Sequence, residues 1–554
     1  MAGLRQRYTV VHRWAGILFG ALLFAIFWMG TLSVFDRELD RWMMPATRLA
    51  AVPGPLRLDP VVDAVGHLVP PDARQWRIDV PTPRTPAWRF SALRPGSPPV
   101  VLMLDPATLA PLPDPGTFGA SGFFFPFHYG LHLSWNEIGK WLVGAASMAM
   151  LLLLIAGIVI HRKVFKEFFT YRPDKRLPRS TLDLHNVTGV LGLPFHFLIV
   201  LSGLVIFFNI YFPFAYQSAY QEGAKGKAQF QSQSYGRYTR PLAGVAAQGP
   251  LASVDAMAAQ AGAVWGGGVP YFVRVWNPGD ANRYVELRRA YFGEVTMNID
   301  QLYFDGATGE LLARFSAGPV MSVQRFLSGV HFIQFHHWPL RWLYFLLGLT
   351  GCVMIATGMV FWLASRSVGG AGKPNVGLQG AGHRDVVQEN VLQRKVLQQK
   401  VGLESAGPRV AQATTIAGVT GILLATLAYL AANRLLPAGT SAFGATRAEL
   451  EVWGFFIVWM MALVHALRGG RAWGEQAWMI AVLAVLCVSL NVATTDAYRL
   501  SGGVVSVAVW GVDGALLVAA IIAAWAARRL RGSEVRQRPV PHRSALAAAK
   551  RDST

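Results

Sequence analysis

The feature that most constrains this chain is a series of apolar runs, each about twenty residues long and carrying few or no charges. A helix of that length crosses a hydrocarbon core about 30 Å thick. Eight such runs are read, at 14–34, 138–160, 186–210, 340–364, 413–433, 451–467, 477–493 and 504–527. Composition agrees, with 53% apolar residues and only 15% charged ones in 554, against about a quarter charged in a soluble domain. The first run follows a basic segment, as a signal peptide would. It is too long and ends without a small-x-small cleavage site, so it reads as a retained span.

The formal net charge of +20 would suit a nucleic-acid binder, but its distribution points elsewhere. Arg5, Arg7 and Arg13 precede the first span, and Arg162, Lys163, Lys166, Arg172, Lys175, Arg176 and Arg179 separate the second from the third. Arg366, Arg384, Arg394, Lys395, Lys400 and Arg409 lie between the fourth and fifth, Arg468 and Arg471 after the sixth, and Arg528, Arg529 and Arg531 after the eighth. With eight spans all of these fall on one side, which the positive-inside rule makes cytoplasmic. The charge is thus explained by a multi-pass membrane topology with both termini cytoplasmic, and no nucleic acid is needed.

The expected fold class is a membrane all-α bundle of about eight transmembrane helices with two periplasmic α+β inserts. The expected divisions are helix 1 in 1–35, a first insert in 36–137, helices 2 and 3 in 138–210, a second insert in 211–339 and helix 4 in 340–366. A cytoplasmic linker 367–412, an appended four-helix bundle 413–530 and a basic tail 531–554 follow. In the second insert, Tyr303-Phe-Asp-Gly-Ala-Thr-Gly-Glu-Leu-Leu312 reads as a hairpin,, with a weaker counterpart at 101–110. A pair of spans with a strand-rich insert, occurring twice, suggests a duplicated unit.

Most of the thirteen histidines gather at the ends of the first four spans. His12, His161 and His185 lie on the cytoplasmic side, and His128, His132, His331, His336 and His337 on the external side. His196 lies inside span three. His67, His383 and His542 fall in soluble segments, and the last four spans hold only His465. Imidazole near hydrocarbon is costly and usually functional, and histidines from two facing helices form a bis-histidine haem site. Two such layers suit two haems passing electrons across the bilayer. Eleven residues separate His185 from His196, which returns to nearly the same helix face about 16 Å along the axis. His196 is therefore either a single-sided ligand or a residue that supports one through a hydrogen bond. Each histidine also has a plain alternative, snorkelling to the interface or capping a helix.

Other motifs carry little. Gly369-Gly-Ala-Gly-Lys373 follows a span and runs into Pro374, so it reads as a linker, not a phosphate loop. No G-x-G-x-x-G follows a strand, so the chain brings no flavin or nicotinamide domain. Cys352 and Cys487 lie in apolar runs, and without a C-x-x-C-H any haem is held non-covalently,.

His12-Arg-Trp14, Leu131-His132, the run Ile-His-Arg-Lys-Val-Phe-Lys-Glu-Phe-Phe at 160–169, Asp183-Leu-His185 and Leu193-Pro-Phe-His196 together resemble the PepSY-associated transmembrane helix family. Ser202-Gly203, Val330-His331, Leu347-Gly-Leu-Thr-Gly351 and the hairpin turn Asp305-Gly-Ala-Thr-Gly-Glu310 fit the same pattern. The resemblance covers roughly 5–366 and leaves the spans after Val410 outside. It implies a bacterial inner-membrane protein, iron-regulated and similar to siderophore reductases, with PepSY-like inserts and two haem b groups. It implies reduction of ferric iron, as a ferric siderophore, at the periplasmic face, with electrons from membrane quinol or a separate donor. On it, His132 and His331 are the outer axial ligands, with His336 and His337 as rivals. His12 and His185 are the inner ones, with His161 and His196 as rivals. Two alternatives of other classes stand beside this: a non-enzymatic peptide- or protease-binding membrane protein, and a siderophore or metal transporter.

Overall fold

Among the described residues, eight helices long and apolar enough to cross a membrane occupy the places of the eight apolar runs. The computed structural model describes residues 2–50, 52, 54–161, 171–172, 177–298, 300–369, 407–495 and 507–536. The basic run 162–170, Lys175, Arg176, the linker from 370 to 406 with His383, and the tail after 536 with His542 lie outside the described residues. Internal contacts divide the chain into one unit of 1–374, 436–450 and 494–512 and another of 375–435, 451–493 and 513–554.

In chain order the first unit begins α1 (Ala2–Ser33), α2 (Asp36–Met43), α3 (Asp59–Gly66), β1 (Gln75–Asp79), β2 (Trp88–Leu93), β3 (Val100–Leu104), α4 (Gly119–Gly130) and α5 (Ile138–Ile160). The same plan then recurs with additions: α6 (Leu177–Ile206), α7 (Phe208–Tyr211), α8 (Gly223–Tyr235), α9 (Val254–Val264), β4 (Pro270–Trp276), β5 (Tyr284–Arg289), β6 (Gln301–Asp305), β7 (Leu311–Phe315), α10 (Pro319–Phe332) and α11 (Trp338–Gly369). Spans α1, α5, α6 and α11 form a bundle, with α4 laid against α1 and α10 against α6. Glycines let these helices approach closely, since a Cβ at Gly20 would stand 2.7 Å from the Met359 sulfur and one at Gly348 2.5 Å from the Thr31 hydroxyl,.

The two inserts, each expected to be a module of its own, share one antiparallel sheet in the order β3-β2-β1-β4-β5-β6-β7. The join is β1 against β4, with Gln75 opposite Trp276, Arg77 opposite Arg274 and Asp79 opposite Phe272. Separately, each half would leave this edge unpaired, an invitation to aggregation. Strand alternation sorts the faces. Trp76, Ile78, Phe90, Val273, Val275, Leu287 and Phe304 point to one side, into a core shared with α3 and α9.

The duplication is written in the caps and turns. Asp59 at the start of α3 accepts the Val254 and Asp255 amides of α9 at 2.6 and 3.1 Å, while Asp255 accepts the Leu58 amide at 2.7 Å. Each helix N-terminus is thereby capped by an aspartate of the other repeat. Asp105-Pro-Ala-Thr108 and Asp305-Gly-Ala-Thr308 make the same turn, the aspartate Oδ1 accepting both following amides at 2.8–3.1 Å. Sheet and bundle are tied by Arg84, which grips both oxygens of Glu38 at 2.8 and 2.7 Å. Burial works against the Glu38 carboxylate, but this fork keeps its pKa below the ordinary range.

The second unit draws on the spans α12 (Gly407–Leu435), α13 (Arg447–Ala466), α14 (Arg471–Thr494) and α15 (Val507–Arg536). A π-helical turn at Ala417–Gly421 widens α12, and the Trp459 indole donates to the Ala417 carbonyl there at 2.9 Å,. Polar groups inside this unit pair with one another. Thr420 donates to Gln476 at 2.6 Å, Asn433 to Glu451 at 3.0 Å and Asn491 to Asp513 at 3.0 Å. His465 meets Glu475 at 2.9 Å.

Candidate functional site

Four histidines share one mode of attachment. His12 on α1 reaches the Leu153 carbonyl of α5 with Nδ1 at 3.0 Å, and its ring lies beside Gly157, one turn on. His185 on α6 does the same with Met354 at 2.7 Å and Gly358 on α11. On the half-length helices, His128 of α4 reaches Ile26 of α1 at 2.9 Å beside Gly30. His331 of α10 reaches Ile199 of α6 at 2.8 Å beside Gly203. In every case the carbonyl residue and the glycine are four apart, so the ring covers one helical turn that carries no Cβ.

These seats are also related by the duplication. His12 and His185, Ile26 and Ile199, and Gly30 and Gly203 are each 173 residues apart, and Leu153 and Met354, like Gly157 and Gly358, are 201 apart. The repeats therefore contribute one histidine each to two pairs. His12 and His185 have ring centroids 6.2 Å apart, and His128 and His331 have theirs 5.9 Å apart.

A carbonyl only accepts, so the ring nitrogen facing it carries the proton. Nδ1–H is thus fixed in all four rings, and each Nε2 keeps its lone pair. This is the orientation by which a metal-ligating histidine is held from behind. Two imidazoles that share one metal at about 2.0 Å each, with ring centroids about 1.1 Å behind the nitrogen, have centroids at most about 6.3 Å apart. Both pairs fall within that limit. His128, His331, Gly30 and Gly203 also line an apolar cavity of about 350 Å³ with Phe27 and Tyr344, inside the usual size range of ligand pockets. The residues present fit a haem held between two histidines. Among the described residues, no three or more His, Cys, Asp or Glu converge on a common point, so the arrangement is one of pairs.

α4 is held in place from α2. Asp40 accepts the Ala120 and Ser121 amides at 2.8 and 3.0 Å, placing a carboxylate at the helix N-terminus. Burial pushes this carboxyl up to about 6, against the pull of Arg37.

Three of the other histidines expected at the site, His132, His336 and His337, have different partners. His132, expected opposite His331, is not there. Its Nε2 donates to the Phe123 carbonyl at 2.9 Å and its ring stacks on Phe123 at 4.7 Å. α4 ends at Gly130, and Leu131 and His132 adopt φ of 54° and 55°, turning the chain back on itself; His128 takes the position facing His331. His336 stacks on Phe292 at 4.6 Å. Burial, then the charges of Arg84 and Arg341, lower its pKa to about 4. His337 accepts the Leu340 amide at 3.3 Å, at the start of α11. His161 follows the last residue of α5, where its amide donates to the Gly157 carbonyl.

His196 is wholly buried between the two pairs along α6. Its Nε2 donates to the Leu347 carbonyl at 3.2 Å and lies 3.3 Å from the Thr350 hydroxyl. Gly351, four residues after Leu347, makes room for it. The seat resembles the other four but engages the opposite ring nitrogen, and the first repeat has Leu23 at the corresponding position.

Two comparisons with known proteins bear on this arrangement. Over 247 residues the chain is 28% identical to the uncharacterized protein PA4219 of Pseudomonas aeruginosa, a stretch covering 41% of this chain and 60% of that protein. The family described as the PepSY-associated TM region matches residues 9–365, which takes in every histidine seat and the whole sheet. This multi-pass membrane protein belongs to the PepSY-associated transmembrane family.

Proposed function

We propose that the protein is a haem-b electron carrier of the bacterial inner membrane that reduces ferric iron, presented as a ferric siderophore, at the periplasmic face. The observation that carries this reading is the pair of histidine sites to which each repeat gives one ring, with every Nδ1 anchored and every Nε2 left free. His12 and His185 would hold one haem and His128 and His331 the other. A haem held there would supply one-electron redox chemistry.

The protein's own residues set the geometry. The backbone carbonyls fix the ring tautomers and the glycines fix how close the rings lie. α1 and α6 connect the two levels, each carrying an inner histidine and an outer seat. From His12 to Ile26 is fourteen residues, about 21 Å along the helix. His196 fills the space between the levels. Arg5, Arg7, Arg13 and Arg179 lie towards the ends of their spans away from the sheet-bearing segments; by the positive-inside rule those ends would be cytoplasmic and the sheet periplasmic. One electron converts iron(III) to iron(II), which siderophores hold far more weakly, so reduction frees the metal. Membrane quinol or a separate cytoplasmic-side donor supplies the electron, a quinol serving two ferric ions and releasing two protons.

The test is vectorial. Protein is reconstituted in liposomes with a ferric chelate and an iron(II) indicator outside, and a reductant that cannot cross the bilayer inside. Indicator colour that depends on the protein and is lost in the His128→Ala variant is expected. Protein-loaded vesicles that develop no more colour than empty ones would overturn the proposal.

A further inference from the structure

The sheet face opposite the α3 and α9 core is neither apolar nor bare. It carries Phe272, Arg274, Trp276, Glu286, Arg288 and Tyr303 on adjacent strands. With α8 and the segment around α7 it encloses a second cavity, of about 600 Å³. Four cations line it, Lys227, Arg237, Arg274 and Arg288, against one carboxylate, Glu286. That carboxylate is almost wholly buried and already engaged, accepting from Arg288 at 2.6 Å, Arg274 at 3.3 Å and the Trp276 indole at 2.9 Å. Lys227 and Arg237 have no carboxylate among the cavity's other lining residues, and the Arg274 Nε is buried without a hydrogen-bond partner.

The rest of the wall is aromatic. Tyr216 stacks on Phe230 with centroids 6.1 Å apart, and Tyr235, Tyr238, Trp276 and Tyr303 complete the lining. Planar π faces and guanidinium planes both attract flat, electron-rich rings. The cavity also adjoins the outer histidine pair. Ile206, Phe207 and Tyr211 line the smaller cavity, while Asn209, Phe212 and Pro213 of the same short segment line this one. A single turn of helix, about 10 Å across with its side chains, is the partition.

We infer that this cavity seats the electron acceptor, and that the acceptor is an anionic ferric chelate with aromatic, catecholate-type arms. The inference rests on the reading of the chain as a ferric reductase and narrows its substrate class. Excess positive charge favours a chelate that remains negative when loaded with iron, and the aromatic lining favours arms that are themselves rings. A neutral hydroxamate chelate gains from neither.

The test is equilibrium binding to the purified full-length protein, by calorimetry at low salt, using the ferric complex of 2,3-dihydroxybenzoate and the ferric complex of acetohydroxamate as probes. The catecholate complex is expected to bind at least about tenfold more tightly than the hydroxamate complex, and the Lys227→Glu, Arg237→Glu double variant to lose about tenfold or more of that affinity. Both side chains are exposed, so the double variant keeps the fold, and an unchanged haem spectrum checks this. Equal binding of the two complexes, or a double variant that binds like the parent, overturns the inference. Binding is read without electron transfer, so the two readings fail separately: a haem-bearing protein that ignores the catecholate complex sinks this inference alone. A colourless protein that binds it selectively sinks the reductase reading alone.

Discussion

The outer and inner histidine pairs follow one rule with different tolerances. The outer rings come from half-length helices α4 and α10 and are pressed onto spans α1 and α6, where a Cβ at Gly30 or Gly203 would lie 2.7 or 2.8 Å from ring atoms. The inner rings come from α1 and α6 themselves. There a Cβ would lie 3.0 Å away at Gly358 and 3.8 Å at Gly157. The outer rings are inclined by 29° and the inner ones by 82°. The outer pair depends on helices that do not cross the membrane and must be held from outside, by Asp40 and by the sheet. The inner pair depends only on spans. The comparison teaches that the outer site is the one whose geometry the sheet can influence, and hence the one more easily broken.

The largest effect should come from removing an outer ring. His128→Ala is expected to reduce ferric reduction to background, whereas His132→Ala, which leaves the pair intact, should retain most of it; steady-state iron(II) trapping measures both. Next, Gly203→Ala forces its ring to move, and overpacking of this kind costs about 1–3 kcal/mol. It should lower the haem content and melting temperature of the purified protein, with Gly358→Ala intermediate. Asp40 separates charge from hydrogen bonding. Asp40→Ala should loosen α4 and lower haem occupancy, while Asp40→Asn, which still accepts both amides, should stay close to the parent.

A smaller effect is expected from pH. His336 has a folded-state pKa of about 4, lowered by burial and then by Arg84 and Arg341, with Glu38 acting the other way. The unfolded chain, with a pKa of about 6.5, binds the proton first, so the stability due to neutral His336 is complete above that value and drains away as pH falls toward 4. Thermal melts across this window should decline less steeply in His336→Phe, which keeps the stack on Phe292. The smallest effect belongs to Gly157→Ala, whose added methyl would make ordinary contact with His12; haem content should not change measurably.

Much of this was legible in the sequence because the signals were local. Eight spans follow from runs of about twenty apolar residues, and the turn at Asp305 from Asp-Gly-Ala-Thr. His12 and His185 were readable as a layer because each opens a span. His128 and His132 could not be separated in that way. Four residues apart, they would share a face if α4 continued, and only the left-handed turn at Leu131 and His132 sends the second ring elsewhere. A signal did exist: Gly30 and Gly203 mark equivalent turns 173 residues apart, one beneath each outer ring. The merging of two inserts into one sheet was hidden for a different reason. The pairing of Arg77 with Arg274 joins edges nearly two hundred residues apart, and no local pattern encodes it.

The central claim is most directly tested by the reduced-minus-oxidised absorption spectrum and haem content of the purified protein. The account predicts Soret and α-band features from two b-type haems per chain, falling to about half in the double variant His128→Ala, His331→Ala and likewise in His12→Ala, His185→Ala. A spectrum with no haem bands, or haem content unchanged when both members of a pair are replaced, would contradict it.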